Sequence, residues 1–202
     1  MNLHTLGLNH DSAPVEVREK LAFSPSSVPV ALSSFAQSFP SSEIVILSTC
    51  NRVEIYATSK DDSLNKDTLL DFFSAFHELP KEEFADHMYH HQGINAVRHL
   101  FFVASSLNSG VLGETQIISQ VKEAYQTATT AETTGSILNQ LFQRSLTVAK
   151  DVHTKTAIGK GNISVSTVAV DLAIKIFKDF SEKTMFIIGA GEMCELVLKH
   201  LV

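Results

Sequence analysis

The sequence predicts an α/β fold, an α+β body with a β-sheet and flanking helices, followed by a long helix and the first strand and turn of a second domain. Three observations carry this. The short β-branched run Ile44-Val45-Ile46-Leu47 is followed, after a polar break, by the alternating Val53, Ile55 and Tyr56. Leu138, Phe142, Leu146, Ala149 and Val152 repeat at helical spacing, as do Ile117, Val121, Ala124 and Ala128. A third apolar run, 184–188, enters Gly189-Ala190-Gly191-Glu192.

In chain order, residues 2–9 read as a strand. Asp11 and Ser12 before Pro14 offer a cap and a first-turn proline for a short helix reaching about Phe23. A second helix starts after Ser24-Pro25. Strand 44–47 breaks at Ser48-Thr49-Cys50-Asn51-Arg52, so a cysteine sits at the bend between two strands. Residues 65–77 and 93–107 read as helices, then come the two periodic helices already named. Gly159-Lys160-Gly161-Asn162 ends the longer one and reads as a hinge. Val165, Val168, Leu172 and Ile176 mark a further amphipathic helix, and 184–188 a buried strand. The domains are expected at 1–155, 156–183 as a linker helix region, and 184–202.

The chain has 202 residues, of which 44% are hydrophobic and 19% charged, enough apolar surface to form a core without self-repelling charge. No stretch reaches the about 18 to 20 apolar residues of a membrane span, and residues 1–10 lack the pattern of a signal peptide, so a cytoplasmic protein is expected. Two cysteines, Cys50 and Cys194, do not make a disulfide framework. The net charge of −6 is uneven: residues 61–91 hold two Lys against eight Asp and Glu, while 136–160 hold Arg144, Lys150, Lys155 and Lys160 against Asp151. That basic stretch could face phosphates or be the solvated side of a helix.

A strand entering Gly-x-Gly and then a helix is how a dinucleotide-binding fold of the Rossmann type sets pyrophosphate against helix N-terminal amides. The third position of the fingerprint is Cys194, and a lone Gly-x-Gly is often only a tight turn. Only 14 residues follow Ile188 where a βαβ unit takes roughly 30 or more, so a truncated nucleotide domain without reductase activity is expected. A free cysteine is usually a small buried hydrophobe. Cys50 differs in having Thr49, Asn51 and Arg52 beside it, where a cation would favour a thiolate able to attack an activated acyl carbonyl. His99 could serve as acid or base, or be a core histidine. Glu114, Gln116 and Gln120 could line a polar pocket or be a helix's wet side. His87, His90 and His91 lack a carboxylate or cysteine at ligand spacing, so no metal is expected.

Ser48-Thr49-Cys50-Asn51-Arg52-Val53-Glu54-Ile55-Tyr56, His99-Leu100-Phe101, Val111-Leu112-Gly113-Glu114, Ser164-Val165-Ser166 and Gly189-Ala190-Gly191-Glu192-Met193, in this order, closely resemble the glutamyl-tRNA reductase family. The resemblance implies that Cys50 attacks the ester of glutamyl-tRNA, forming a thioester that NADPH reduces to glutamate-1-semialdehyde for tetrapyrrole synthesis. It implies a functional His99 and a glutamyl pocket of Thr49, Asn51, Arg52, Ser109, Glu114, Thr115, Gln116 and Gln120. Gly189, Ala190, Gly191, Glu192, Met193 and Cys194 match the pyrophosphate turn, and 164–173 the start of a long joining helix. The partners implied are glutamyl-tRNA(Glu), a second copy through a C-terminal dimerisation domain, and glutamate-1-semialdehyde aminomutase. Val53, Phe102, Asn108 and Thr115 depart from the usual Thr, Arg, Asp and Pro. One rival is a non-catalytic tRNA- or protein-binding module, which predicts a buried Cys50; another is a small-molecule dehydrogenase.

Overall fold

The structure, a computed structural model, describes residues 2–61, 63–159, 165–178, 180, 183–189 and 192–201. The chain runs β1 (Leu3–Asn9), α1 (Val15–Lys20), α2 (Val28–Ser38), β2 (Ser42–Ser48), β3 (Arg52–Ser59), α3 (Lys66–His77), β4 (Tyr89–Gln92), α4 (Ile94–Ala104), α5 (Gln116–Thr130), α6 (Ser136–Lys155), α7 (Val165–Phe177) and α8 (Glu192–Leu201). The sheet is antiparallel in the order β2-β3-β1-β4. β2 and β3 form the expected hairpin with Cys50 in its turn, in the register Ser48↔Val53.

β3 is buried along its whole length, between β1 and β2 in the sheet, with α6 packed against it and α2, α3, α4 and α5 packed against its neighbouring strands. Phe35, Phe73, Phe84, Phe142 and Tyr56 are the bulky residues of this core. Phe35 meets Phe72 edge-on at 5.1 Å, and Phe142 meets Tyr56 likewise at 5.4 Å, an arrangement worth about 0.5–1.5 kcal/mol beyond the area buried.

Local chemistry sets the helix starts. Asn65 Oδ1 accepts from the Thr68 amide while Thr68 Oγ1 accepts from the Asn65 amide, a reciprocal cap on α3. At α6 the cap comes from another strand: Glu43 of β2 accepts from the amides of Ile137 (3.2 Å) and Leu138 (2.7 Å), a negative charge at the positive end of the helix. Thr133 covers the free edge of β2 through bonds with Ile44 in both directions.

The structure differs from the sequence reading at the start of α1 and beyond. Asp11 and Ser12 do not cap α1, whose N-cap is Pro14 without a side-chain bond; Ser12 Oγ instead accepts from the Asn9 amide, closing a turn at the end of β1. β4 was not expected, because Tyr89-His90-His91-Gln92 has no apolar alternation, as suits an edge strand. Residues 184–188 form no strand, and Phe186 and Ile188 are each 85% exposed: among the described residues they find no neighbouring strand with which to pair. Within the expected hinge, Lys160, Gly161 and Asn162 lie outside the described residues, as does Ser164.

His77 ends α3 inside a cluster of Phe23 (4.6 Å), Phe76 (5.3 Å) and Phe73 (6.1 Å), and its Nε2 is buried without a partner among the described residues. Burial pushes its imidazole down from 6.5 to about 4. The folded state therefore disfavours the proton, so stability is whole above pH 6.5 and falls as pH drops toward 4. His77→Leu should remove about 1 kcal/mol of that loss between pH 7.5 and 5, allowing for the ring's partial contact with solvent. Urea denaturation at the two pH values measures it, and an unchanged pH difference would mean that His77 binds its proton equally well in the folded and unfolded states.

Candidate active site

The turn between β2 and β3 is built to present residue 50. Thr49 Oγ1 accepts from the amides of Asn51 (3.2 Å) and Arg52 (3.1 Å), and the Thr49 amide donates to the Arg52 carbonyl at 2.8 Å. From outside, the His10 amide donates to the Asn51 carbonyl at 2.9 Å, and Ser48 Oγ accepts from the Phe23 amide at 2.9 Å. With its neighbours held on both sides, Cys50 stands exposed.

Cys50 opens on a pocket of about 190 Å³ lined by Thr49, Asn51, Arg52, Ser109, Glu114, Gln116, Ile117 and Gln120. Seven of the eight substrate-pocket neighbours expected for Cys50 thus share one cavity, contributed by the cysteine turn, the 107–115 loop and the first turns of α5. Thr115 does not line it; this residue is the N-cap of α5 and makes no side-chain cap bond. Glu114 is 7% exposed, and the loop reaches it through Ser106 Oγ, which donates to its carbonyl at 2.6 Å.

Behind the pocket lies a polar centre that the sequence reading missed. Arg52, Glu54 and Tyr56 alternate along β3 and so share one face. Glu54 is fully buried: Arg52 Nη1 donates to its Oε1 at 2.7 Å, His99 Nε2 lies 2.8 Å from the same oxygen, Tyr89 OH donates to it at 2.5 Å, and Tyr56 OH donates to Oε2. Space for this carboxylate is left by Gly7, paired with Glu54 across the sheet; a Cβ there would lie 2.5 Å from the Val53 carbonyl and 2.7 Å from Glu54 Cγ. Burial alone would push the Glu54 carboxyl up, but the Arg52 guanidinium, then His99 and Tyr56, hold it well below the usual carboxylate range. Burial first, then the Glu54 charge, raises the Tyr56 and Tyr89 hydroxyls well above their usual value. The signal available in sequence was the polar period of two inside an apolar strand, Arg52, Glu54 and Tyr56 between Val53, Ile55 and Ala57.

Two expectations change here. Arg52 lines the pocket but is 1% exposed, and its charge is balanced by Glu54, while Nη2 donates to the carbonyl and side-chain oxygens of Asn108. It is not a free cation beside the thiol, because the alternation of β3 turns its side chain inward. His99 does not line the pocket; its side chain is 11% exposed and packs among Tyr89 (5.2 Å), His91 (4.6 Å) and Glu54. Of the other histidines weighed as ligands, His90 Nε2 lies 3.0 Å from His4 Nδ1, and His87 Nδ1 lies 3.0 Å from the Ser12 carbonyl.

Far along the chain, Gly189 has φ +132°, and a Cβ there would lie 3.0 Å from Cys194 Sγ in α8. A glycine held in this region of φ at the entry to a helix fits the first residue of a pyrophosphate-binding turn. Ala190 and Gly191 lie outside the described residues, and of Glu192 and Met193 only the backbone is described, in the first turn of α8. Among the described residues no helix is long and apolar enough to cross a membrane.

Residues 6–156 match the sequence model of the glutamyl-tRNA(Glu) reductase N-terminal domain, and residues 171–202 that of shikimate/quinate 5-dehydrogenase. The glutamyl-tRNA reductase of Geobacter sulfurreducens is 46% identical over 202 residues, 100% of this chain and 46% of that protein. That of Brevibacillus brevis is 44% identical over 201 residues, 100% of this chain and 44% of that protein. The solved glutamyl-tRNA reductase from Methanopyrus kandleri superposes with a TM-score of 0.71 at 35% identity, covering 98% of this chain and 46% of that one. The chain thus spans about half the length of the curated relatives it matches. With residues 6–156 matched and a sheet-and-helix body that superposes on a solved relative, the chain belongs to the glutamyl-tRNA reductase family.

Proposed function

We propose that this chain carries the glutamyl-transfer site of an NADPH-dependent glutamyl-tRNA reductase, the first enzyme of tetrapyrrole synthesis. The observation that supports it most is an exposed Cys50 on a polar pocket, backed by the buried Glu54 centre. Cys50 Sγ bonds to the ester carbonyl carbon of glutamyl-tRNA, the bond to the ribose oxygen breaks, and that oxygen takes up the proton lost by the thiol. Thr49, Asn51, Ser109, Gln116 and Gln120 offer hydrogen-bonding groups to the glutamyl moiety. Arg52, held by Glu54 and Asn108, sets the pocket wall. His99 works through Glu54 as a positioning residue. NADPH, when bound, supplies the hydride that reduces the acyl group, and Gly189 to Cys194 would hold its pyrophosphate. The domain limits proposed are 1–155 for the glutamyl-transfer domain, 156–183 for the linker, and 184–202 for the start of the nucleotide domain. A non-catalytic binding module requires a buried Cys50, which the exposure of this residue disfavours. Mass spectrometry after mixing the chain with glutamyl-tRNA tests the proposal: a glutamyl adduct on Cys50 is expected, and an adduct elsewhere or none overturns it.

For the tRNA itself α6 offers a modest surface. At about 100° per residue, Arg144, Asp151 and Lys155 share one side of the helix while Lys150 stands apart, and Lys155 Nζ already pairs with Asp151 at 3.0 Å. Lys160 lies outside the described residues. Neutralising Arg144, Lys150 and Lys155 together should weaken tRNA binding and reduce the slope of log K against log salt by about 1 to 2, fewer than three contacts' worth, because Asp151 competes for one charge. An unchanged slope in filter-binding titrations would assign these residues to the solvated face.

A further inference from the structure

β4 is a polar edge strand, and two of its four side chains end on the Glu54 centre. In the antiparallel register Gly7 of β1 pairs with Tyr89 on one side and Glu54 on the other, and Thr5 pairs with His91 and Tyr56, so these four side chains share one face of the sheet. His90, between them in sequence, turns the other way and meets His4. Tyr89 reaches Glu54 directly, through its hydroxyl at 2.5 Å. The His91 ring makes no hydrogen bond among the described residues, and what it touches is His99: the two ring centroids are 4.6 Å apart at 32°. Tyr89 packs against both histidines, 5.4 Å from His91 and 5.2 Å from His99, and Tyr56 lies 6.5 Å from His99.

The His99 side chain, carried by α4, meets Glu54 at one atom: Nε2 lies 2.8 Å from Oε1, the oxygen that also takes Arg52 Nη1 at 2.7 Å. One bond at one ring atom sets a distance and leaves the ring free to turn about it, so the plane of the imidazole is set by the rings packed around it. Of these, Tyr56 and Tyr89 also donate to Glu54, whereas His91 gives His99 packing alone. Burial, and then the neighbouring His99, push the His91 imidazole down from its ordinary value, so near neutral pH it presents an uncharged ring. We propose that His91 is a positioning residue of this site, whose ring holds the His99 imidazole in the plane that meets Glu54 and so, through Glu54, keeps Arg52 in the pocket wall. Its effect on turnover rests on the glutamyl-transfer reading above; its hold on His99 does not. A supporting side chain loosened by an ångström costs rate even when the reacting groups are intact.

The test uses the 202-residue chain with His91→Ala, His91→Phe and His99→Asn. It is read by diethyl pyrocarbonate labelling of His99, located by mass spectrometry, and by the kinetics of Cys50-dependent deacylation of glutamyl-tRNA. The His99 side chain is 11% exposed in the parent and should label slowly. His91→Ala should raise that labelling rate about tenfold while His77, in the phenylalanine cluster at the end of α3, labels as in the parent, because a local opening leaves distant parts of the fold closed. It should lower kcat about fivefold with KM within about twofold. His91→Phe, which keeps a ring, should bring both readouts to within about twofold of the parent. The double variant His91→Ala/His99→Asn should deacylate at the rate of His99→Asn alone, since a residue that acts through another adds nothing once the other is gone. If His91→Ala does not fold, His91→Leu, which fills the space without a ring, takes its place with the same expectations. Unchanged labelling of His99 overturns the proposal, and so do losses that add in the double variant or a His91→Phe variant no better than His91→Ala. A rise in His77 labelling that matches the rise at His99 overturns it as well, because His91 would then serve only the fold as a whole. If the parent chain shows no Cys50-dependent deacylation, the glutamyl-transfer reading fails while the labelling still decides whether His91 holds His99.

Discussion

Cys50→Ser is expected to abolish the glutamyl adduct and to lower deacylation of glutamyl-tRNA by at least about a thousandfold, the scale on which losing a covalent nucleophile acts. The step depends on a sulfur anion, and a serine hydroxyl gives no comparable ionised fraction near neutral pH without a base aimed at it. The histidine of this site, His99, is turned to Glu54 and lies outside the pocket lining, so it is not aimed at position 50. The exchange changes one atom on an exposed side chain, so stability should stay within about 0.5 kcal/mol. Loss of activity with an unchanged circular dichroism spectrum and melting curve therefore reports chemistry. Deacylation at the parent rate would mean that water attacks the ester directly and that Cys50 has no covalent part. His99→Asn should reduce the rate while leaving Cys50 open to alkylation, since His99 meets Glu54 and does not line the pocket.

Much of the frame was legible because it obeys local rules. The β2–β3 hairpin followed from an apolar run, a polar break and an alternating run, and α3 lies within the helix read over 65–77. β4 was not legible, since Tyr89-His90-His91-Gln92 carries no alternation and forms only because β1 offers an edge. Residues 184–188 failed in the opposite sense: they have the composition of a strand, but pairing is a property of two segments, and no described strand pairs with them. The pocket brings 49–52 together with 109–120, a separation that no periodicity encodes, so resemblance rather than spacing assembled it. Glu54 was legible in principle. Its alternation with Arg52 and Tyr56 is written in the strand, yet an acidic residue among apolar ones reads as the wet face of a strand until burial of both faces is seen.

Glu54→Ala should destabilise the chain by about 3–5 kcal/mol at pH 7, the cost of leaving one partner of a buried pair alone. Arg52, 1% exposed, would keep only the Asn108 oxygens, and Tyr56, Tyr89 and His99 would each lose an acceptor. For a domain whose whole stability is about 5–15 kcal/mol, that is a large fraction. Glu54→Gln keeps the volume but not the charge, and its amide nitrogen would face donors, so it too should be unstable, while Arg52→Leu combined with Glu54→Leu should cost less than either single change. The acid response separates charge from packing. The Glu54 carboxyl is held well below its usual 4.5 when folded, so its contribution is whole above pH 4.5 and is lost as pH falls below it. The parent chain should lose stability steeply below pH 4.5, continuing past the lower end of the window in which His77 titrates, and Glu54→Gln should lack that lower limb. Urea denaturation at pH 7 and pH 3.5 measures both effects. A Glu54→Gln variant within about 1 kcal/mol of the parent at pH 7, or one with the same acid limb, would show that water reaches Arg52 and that the buried pair does not hold the pocket wall.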